Sequence, residues 1–273
     1  MFKTTIEALI KHLQEDIKIA ENSIVWLHSG LVGLGVVEGG VDTITEAFST
    51  VLPKGALIIP TFTYSWCNGE VYDSSVTECP DMGGYAKKAW KDERFTRNHN
   101  PNFSVSVMDQ TPDKRVEKAL LHKKTKHTCF GDGSVFDQVY SLSKKMPGKI
   151  ILLGGAHNDV VFRSTFLHFV EEKVGVLYRY HKTFVNPINN KETVDQLVRF
   201  MSKTECKIIN KGNCDSYSFP IKEKYHKLGS DLIDNHLLIQ ASFGYSSTRS
   251  VSILEFCNWL ESKIRQDPDY LLK

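Results

Sequence analysis

Ile24-Val25-Trp26-Leu27-His28-Ser29-Gly30-Leu31-Val32-Gly33-Leu34-Gly35 opens a unit that closes at Ala56-Leu57-Ile58-Ile59-Pro60-Thr61. Each end is a short apolar run, the composition of a strand buried on both faces. Between the two lie a glycine-rich loop (residues 28–40) and a stretch from Val41 to about Leu52 with helical periodicity. Strand, helix and strand at this length predict a right-handed βαβ unit with parallel strands.

The same reading extends outward. Ile6, Leu9, Ile10, Leu13 and Ile17 recur at helical spacing, and Thr4 with Glu7 fits a capping box. Ser104 to Met108, Lys149 to Leu153 and Leu237 to Ala241 read as further strands, and Ser252 to Ile264 as a closing amphipathic helix. Residues 63–100 are too long for a bare connection, so they predict a helix from Gly84 to Lys91 beside a functional loop. The segment 176–225 is polar and predicts a less regular subdomain. The pattern gives a single α/β domain over residues 1–273: a three-layer αβα arrangement on a mostly parallel mixed sheet.

Composition narrows the function. The chain has 273 residues, 41% hydrophobic and 24% charged, with a formal net charge of +2. These are globular values, and the charge is too mild for a nucleic-acid binder. No apolar run reaches a membrane span, and the first residues lack a signal-peptide core, so no membrane partner and a cytoplasmic location are expected. The cysteines at 67, 79, 129, 206, 214 and 257 show no C-x-x-C spacing. They read as reduced thiols, with no metal expected. Cys67 and Cys129 could serve as nucleophiles only beside a base, and the sequence shows none.

Two stretches carry candidate chemistry. The glycines at 30, 33, 35, 39 and 40 let backbone amides approach a ligand, and the following helix offers its N-terminus to an anion. The spacing matches neither a dinucleotide nor a Walker motif, and a glycine-rich turn set by the chain path reads equally well. The second stretch is Thr165-Phe166-Leu167-His168-Phe169-Val170-Glu171. With Ser164 or Thr165 as N-cap, His168 falls in the first helical turn, where the dipole disfavours imidazolium. Glu171, three residues on, can orient the ring as a general base requires. A histidine satisfied inside an apolar helix is the commoner fate, and Glu171 beside Glu172 can be an ordinary helix charge. Gly131-Asp132-Gly133-Ser134 is a backbone cradle or a turn before a helix.

In order along the chain, several segments resemble the aminoglycoside N3-acetyltransferase family, from about residue 20 to 265. They are His28-Ser29 with the glycines through Thr43, Gly55-Ala56-Leu57 to Tyr64, Met82-Gly83, Pro101 with Ser104, Phe130-Gly131-x-Gly133-Ser134, Leu152-Leu153-Gly154 and Thr165-x-x-His168-x-x-Glu171. The resemblance implies acyl transfer from coenzyme A to an amine, with acyl-CoA as co-substrate, small-molecule substrates and a homodimer as one compatible assembly. It implies His168 and Glu171 as catalytic residues. It places the cofactor near His28, Ser29, Gly30, Leu31, Val32, Gly33, Gly35, Thr63, Gly133 and Ser134. The acceptor is expected near Tyr64, Asp73, Arg97 and His99, and oxyanion donors at Ser29 to Gly30 or Thr63. The chain departs from the family at Arg97-Asn98-His99-Asn100-Pro101, where the family reads Arg-Ser-x-His-Pro.

The slightly basic charge suits an acceptor carrying a diphosphate better than a polycation. The expected reaction is N-acylation of a nucleotide-linked amino sugar, of the dTDP-4-amino-4,6-dideoxy type handled by the anthrose-pathway member of the family. The alternatives are an aminoglycoside 3-N-acetyltransferase, a non-catalytic CoA- or sugar-binding protein, and a cysteine-dependent transferase.

Overall fold

The computed structural model describes residues 1–122, 126–155, 166–185, 192–210 and 214–272. In chain order the strands are β1 (Lys3–Thr4), β2 (Ile24–Ser29), β3 (Val36–Val37), β4 (Ala56–Pro60), β5 (Thr96–Arg97), β6 (Val105–Asp109), β7 (Lys126–Thr128), β8 (Gly148–Leu153), β9 (Arg179–Val185), β10 (Thr193–Arg199), β11 (Leu238–Phe243) and β12 (Ser246–Ser252). The α-helices are α1 (Ile6–Lys11), α2 (Val41–Val51), α3 (Gly84–Ala89), α4 (Arg115–Leu120), α5 (Val135–Ser143), α6 (Leu167–Val174), α7 (Lys203–Asn210), α8 (His226–Asp234) and α9 (Ile253–Gln266).

β2 is central because it is apolar on both faces. Ile24 and Trp26 point into one core, shared with Ile58 of β4, Phe136 of α5, Val170 of α6 and Phe256 of α9. Val25 and Leu27 point into the other, with Leu57, Ile59, Leu9 of α1, Phe48 of α2 and Tyr85 of α3. The period-two alternation of the strand thus builds the three αβα layers.

The main sheet has the order β11-β12-β8-β2-β4-β6-β5. β2 runs parallel to both β4 and β8, as the βαβ reading requires. The sheet is mixed as expected, but its parallel part is confined to this centre. β6 and β5 on one side, and β12 and β11 on the other, add antiparallel. Two-residue turns favour antiparallel return. Gly244 at φ 67° makes such a turn between β11 and β12.

Three local expectations are corrected. The N-cap of α1 is Thr5, whose Oγ1 accepts from the Ala8 amide at 3.2 Å, whereas Thr4 Oγ1 donates to the Leu34 carbonyl. Among the described residues of 176–225, β9 and β10 pair antiparallel over seven residues, and β7 pairs with β10 in parallel, so this less regular segment carries more strand than expected. Nor are all cysteines reduced, since Cys206 and Cys214 form a disulfide between α7 and the turn after it. Cys79, Cys129 and Cys257 are buried and outside any disulfide. No helix among the described residues is long and apolar enough to cross a membrane.

Candidate active site

The carboxyl ends of β2, β4 and β8 lie side by side in the sheet, and ligands of α/β sheets bind at such ends, where neighbouring connections diverge. The loop after β2 carries the glycines, and the chain after β8 leads to α6. An aromatic cluster joins these parts. Trp26 meets Phe136 and Phe166 at 5.1 and 5.3 Å between ring centroids, and Phe103 meets Phe130 at 4.8 Å. Phe130 in turn packs edge-on against His168 at 5.1 Å.

His168 is the second residue of α6. Its N-cap is Phe166, which has no side-chain cap; Ser164 and Thr165, the expected caps, lie outside the described residues. Nδ1 of His168 lies 2.6 Å from Oε2 of Glu171, one helical turn on. Glu171 is fully buried, so it is not the exposed helix charge that its neighbour Glu172 could suggest. Its Oε1 accepts from the Tyr178 hydroxyl at 2.8 Å, and Nε of Arg179 stands 3.0 Å from Oε2. Burial alone would raise the Glu171 carboxyl, but Arg179, His168 and Tyr178 outweigh it and hold it below the usual range. Burial, reinforced by Arg179, keeps His168 below its ordinary value despite the pull of Glu171. With Nδ1–H directed to a carboxylate, Nε2 is the acceptor of a neutral imidazole. His168 lines a cavity of about 380 Å³ with Arg179, Tyr180, Lys182, Arg199 and Glu205.

The glycine loop is set largely by packing. A Cβ on Gly33 would stand 2.0 Å from the Gly154 carbonyl oxygen, and Gly35, at φ 74°, faces the Phe2 carbonyl. Both glycines answer to the chain path first. The Gly30 amide donates to the Leu153 carbonyl at 2.8 Å, which removes it as an oxyanion donor. The amides of Leu31 and Val32 head the 3-10 turn Leu31–Leu34 and have no partner within it. Val32 is 91% exposed. α2 begins after Gly40 with no side-chain cap, although Asp42 already occupies its first turn. The Trp26 indole donates to Nε2 of His28 at 3.0 Å, which fixes that ring as the Nδ1–H tautomer. Burial lowers His28 to about 3, so it too stays neutral.

The region 97–101 faces inward. Arg97 donates to the Thr61 carbonyl at 2.7 Å, Thr63 Oγ1 at 2.9 Å, Ser104 Oγ at 3.1 Å and the Thr77 carbonyl. Tyr72 and Trp90 flank its guanidinium. Arg97 therefore ties β5 to the end of β4 through internal partners. Thr63 is fully buried in the same set, which removes it as an oxyanion donor. Asn98 Oδ1 accepts from the Val105 amide, and Asn100 Oδ1 from the amides of Asn102 and Phe103. Both departures from the family pattern thus act as backbone acceptors. The Asp73 carboxylate accepts from Ser75, and His99 Nδ1 lies 3.3 Å from Ser74 Oγ. Tyr64 stays 37% exposed. Ser134 caps α5 by accepting from the Asp137 amide at 3.1 Å, while Gly133 donates back to Asp137 at 2.8 Å. Residues 131–134 thus form a turn before α5. Gly133 and Ser134 share a small cavity with Asn98, His99 and Asn100, separate from the one lined by His168.

Sequence reasoning missed Tyr178, Arg179 and Glu223. Arg179 reaches Glu223 with Nη2, and both side chains are buried. A Tyr-Arg pair opening an apolar-polar run after the helix was the available signal for the first two. Glu223 had none, since 44 residues separate it from Arg179. For the cysteine alternative, Cys129 is fully buried, which disfavours it as a nucleophile; the Cys67 side chain lies outside the described residues.

The family model of aminoglycoside 3-N-acetyltransferases matches residues 26–265. The chain belongs to this family. Solved structures share the fold at low identity. Aminoglycoside acetyltransferase AAC(3)-Xa superposes with a TM-score of 0.74 at 15% identity, covering 98% of this chain and 94% of that one. The YokD protein of Bacillus subtilis gives 0.73 at 15%, with 98% of this chain and 96% of that one covered. AAC-IIIb, solved as a binary complex with CoASH, gives 0.71 at 15%, with 97% of each chain covered. No curated protein sequence matches the chain.

Proposed function

We propose that this protein transfers an acetyl group from the coenzyme A thioester to an amine of an amino sugar, with His168 as general base and Glu171 as its orienting partner. The observation that carries the reading is the buried 2.6 Å contact of Nδ1 with Glu171, which leaves the Nε2 of a neutral imidazole as proton acceptor at a cavity. Aminoglycosides are the acceptor class the family favours, and related structures hold a gentamicin and apramycin.

The donor set fits coenzyme A, which supplies the activated acyl group. The Leu31 and Val32 amides offer hydrogen bonds, Val32 an exposed apolar surface and the uncapped start of α2 a favourable end for phosphate. Of the other residues named for that role, Gly30, Thr63, Gly133 and Ser134 are engaged internally. As the amine forms the amide bond and the thioester C–S bond breaks, His168 accepts the amine proton and returns it to the departing thiolate, with Glu171 stabilising the imidazolium in between.

A nucleotide-linked amino sugar is the second reading. Lys182 and Arg199 line the His168 cavity, with Glu205 as the carboxylate among its lining residues, a balance that suits a phosphate-bearing acceptor. Thiol release measured over acyl-CoAs against aminoglycosides and nucleotide amino sugars decides between them. Turnover with aminoglycosides alone removes the second reading, and turnover with neither removes both.

A further inference from the structure

We infer that Arg179 and Glu223 are positioning residues for His168, acting through Glu171. The inference rests on the reading of His168 as base. Its geometry is a buried chain drawn from three separate parts of the fold. Glu171, on α6, is fully buried and contacts His168, Tyr178 and Arg179 with its two oxygens. Arg179, at the start of β9, has a side chain only 7% exposed. It sets Nε 3.0 Å from Glu171, as an ion-pair contact rather than an aligned hydrogen bond, and Nη2 against Glu223. Glu223 lies in the segment before α8, its side chain fully buried, and Tyr225 hydrogen-bonds to it.

The charges explain why the chain extends past Glu171. Two buried carboxylates share one guanidinium, so the set carries one net negative charge while His168 is neutral. When His168 takes a proton from the amine, the set becomes balanced. An imidazolium beside Glu171 and Arg179 alone would leave one net positive charge in a buried place, which is costly. Arg179 therefore holds the carboxylate against the ring and keeps the resting imidazole neutral. Glu223 offsets Arg179 so that the protonated ring is tolerated during the reaction. The other charged groups around the cavity are Lys182 of β9, Arg199 of β10 and Glu205 of α7.

The test is a histidine-ring NMR titration of the whole protein without substrate, with the His168 signal assigned by its loss in His168→Ala. Glu223→Gln should lower the His168 midpoint and Arg179→Met should raise it, each by about one unit. The double variant should return towards wild type, and Arg179→Lys should stay close to it. Opposite shifts support the inference. Unchanged midpoints, or shifts in one direction from both variants, overturn it. If Arg179→Met does not fold, Glu223→Gln alone decides by the sign of its shift. Because no substrate is present, this failure is distinct from a failure of the transferase reading, which thiol release reports.

Discussion

Oε2 of Glu171 lies 2.6 Å from Nδ1 of His168, three residues earlier on the same helix, and Glu171 is wholly buried. The carboxylate thus fixes the ring and its tautomer from the protein side. His168→Ala should lower kcat by roughly 10²–10⁴-fold with little change in KM for the thioester, measured by thiol release. Near-normal turnover at saturating substrates would remove His168 as the base.

His168 is held below its ordinary value of 6.5, and His28 is lowered to about 3. The acid limb of kcat/KM should therefore fall below about pH 6.5, with no contribution from His28 near neutrality. Both rings bind protons less readily folded than unfolded. Their contribution to stability is complete above about pH 6.5 and is lost as pH falls. A limb centred above about pH 7 in a pH–rate profile contradicts the assignment.

Arg97→Ala should destabilise the protein by about 3 kcal/mol or more, because buried acceptors at Thr61, Thr63 and Ser104 lose their donor. Asn100→Ala should cost about 1–3 kcal/mol by orphaning two buried amides. Urea denaturation reads both. A large rise in acceptor KM with unchanged stability would restore Arg97 to the substrate site.

Glu172 is pushed up to about 7 by burial and by the nearby Asp132 and Asp195, and one of its carboxyl oxygens is buried without a partner. A raised carboxyl favours the folded state while it keeps its proton. Its contribution to stability should decline from about pH 4.5 to 7 and then level off. Glu172→Gln should flatten that decline, gaining on the order of 1 kcal/mol at about pH 8 after allowance for partial exposure. Parallel denaturation curves for both proteins at acid and alkaline pH would contradict this.

The central strands were legible because β2, β4 and β8 are apolar on both faces and bounded by glycine or proline. β12 was not, since Ser246 to Ser250 is mostly polar; it becomes a strand by pairing with β8 and β11. β9 and β10 were hidden for the same reason, as much of their surface faces solvent. The pair His168 and Glu171 could be found because helical spacing places i and i+3 together.

The sequence by itself determined the βαβ centre, the two-faced core and the one-turn spacing of the histidine and its carboxylate, since each follows from local periodicity. Only the tertiary structure decided which polar groups are buried and what they meet. It turned Arg97, Thr63 and Ser134 inward as internal partners and brought Arg179 and Glu223 to the far side of Glu171. The pairs Arg97–Thr63 and Arg179–Glu223 join residues tens of positions apart. Their energies depend on burial and on the direction of approach, which no local spacing encodes.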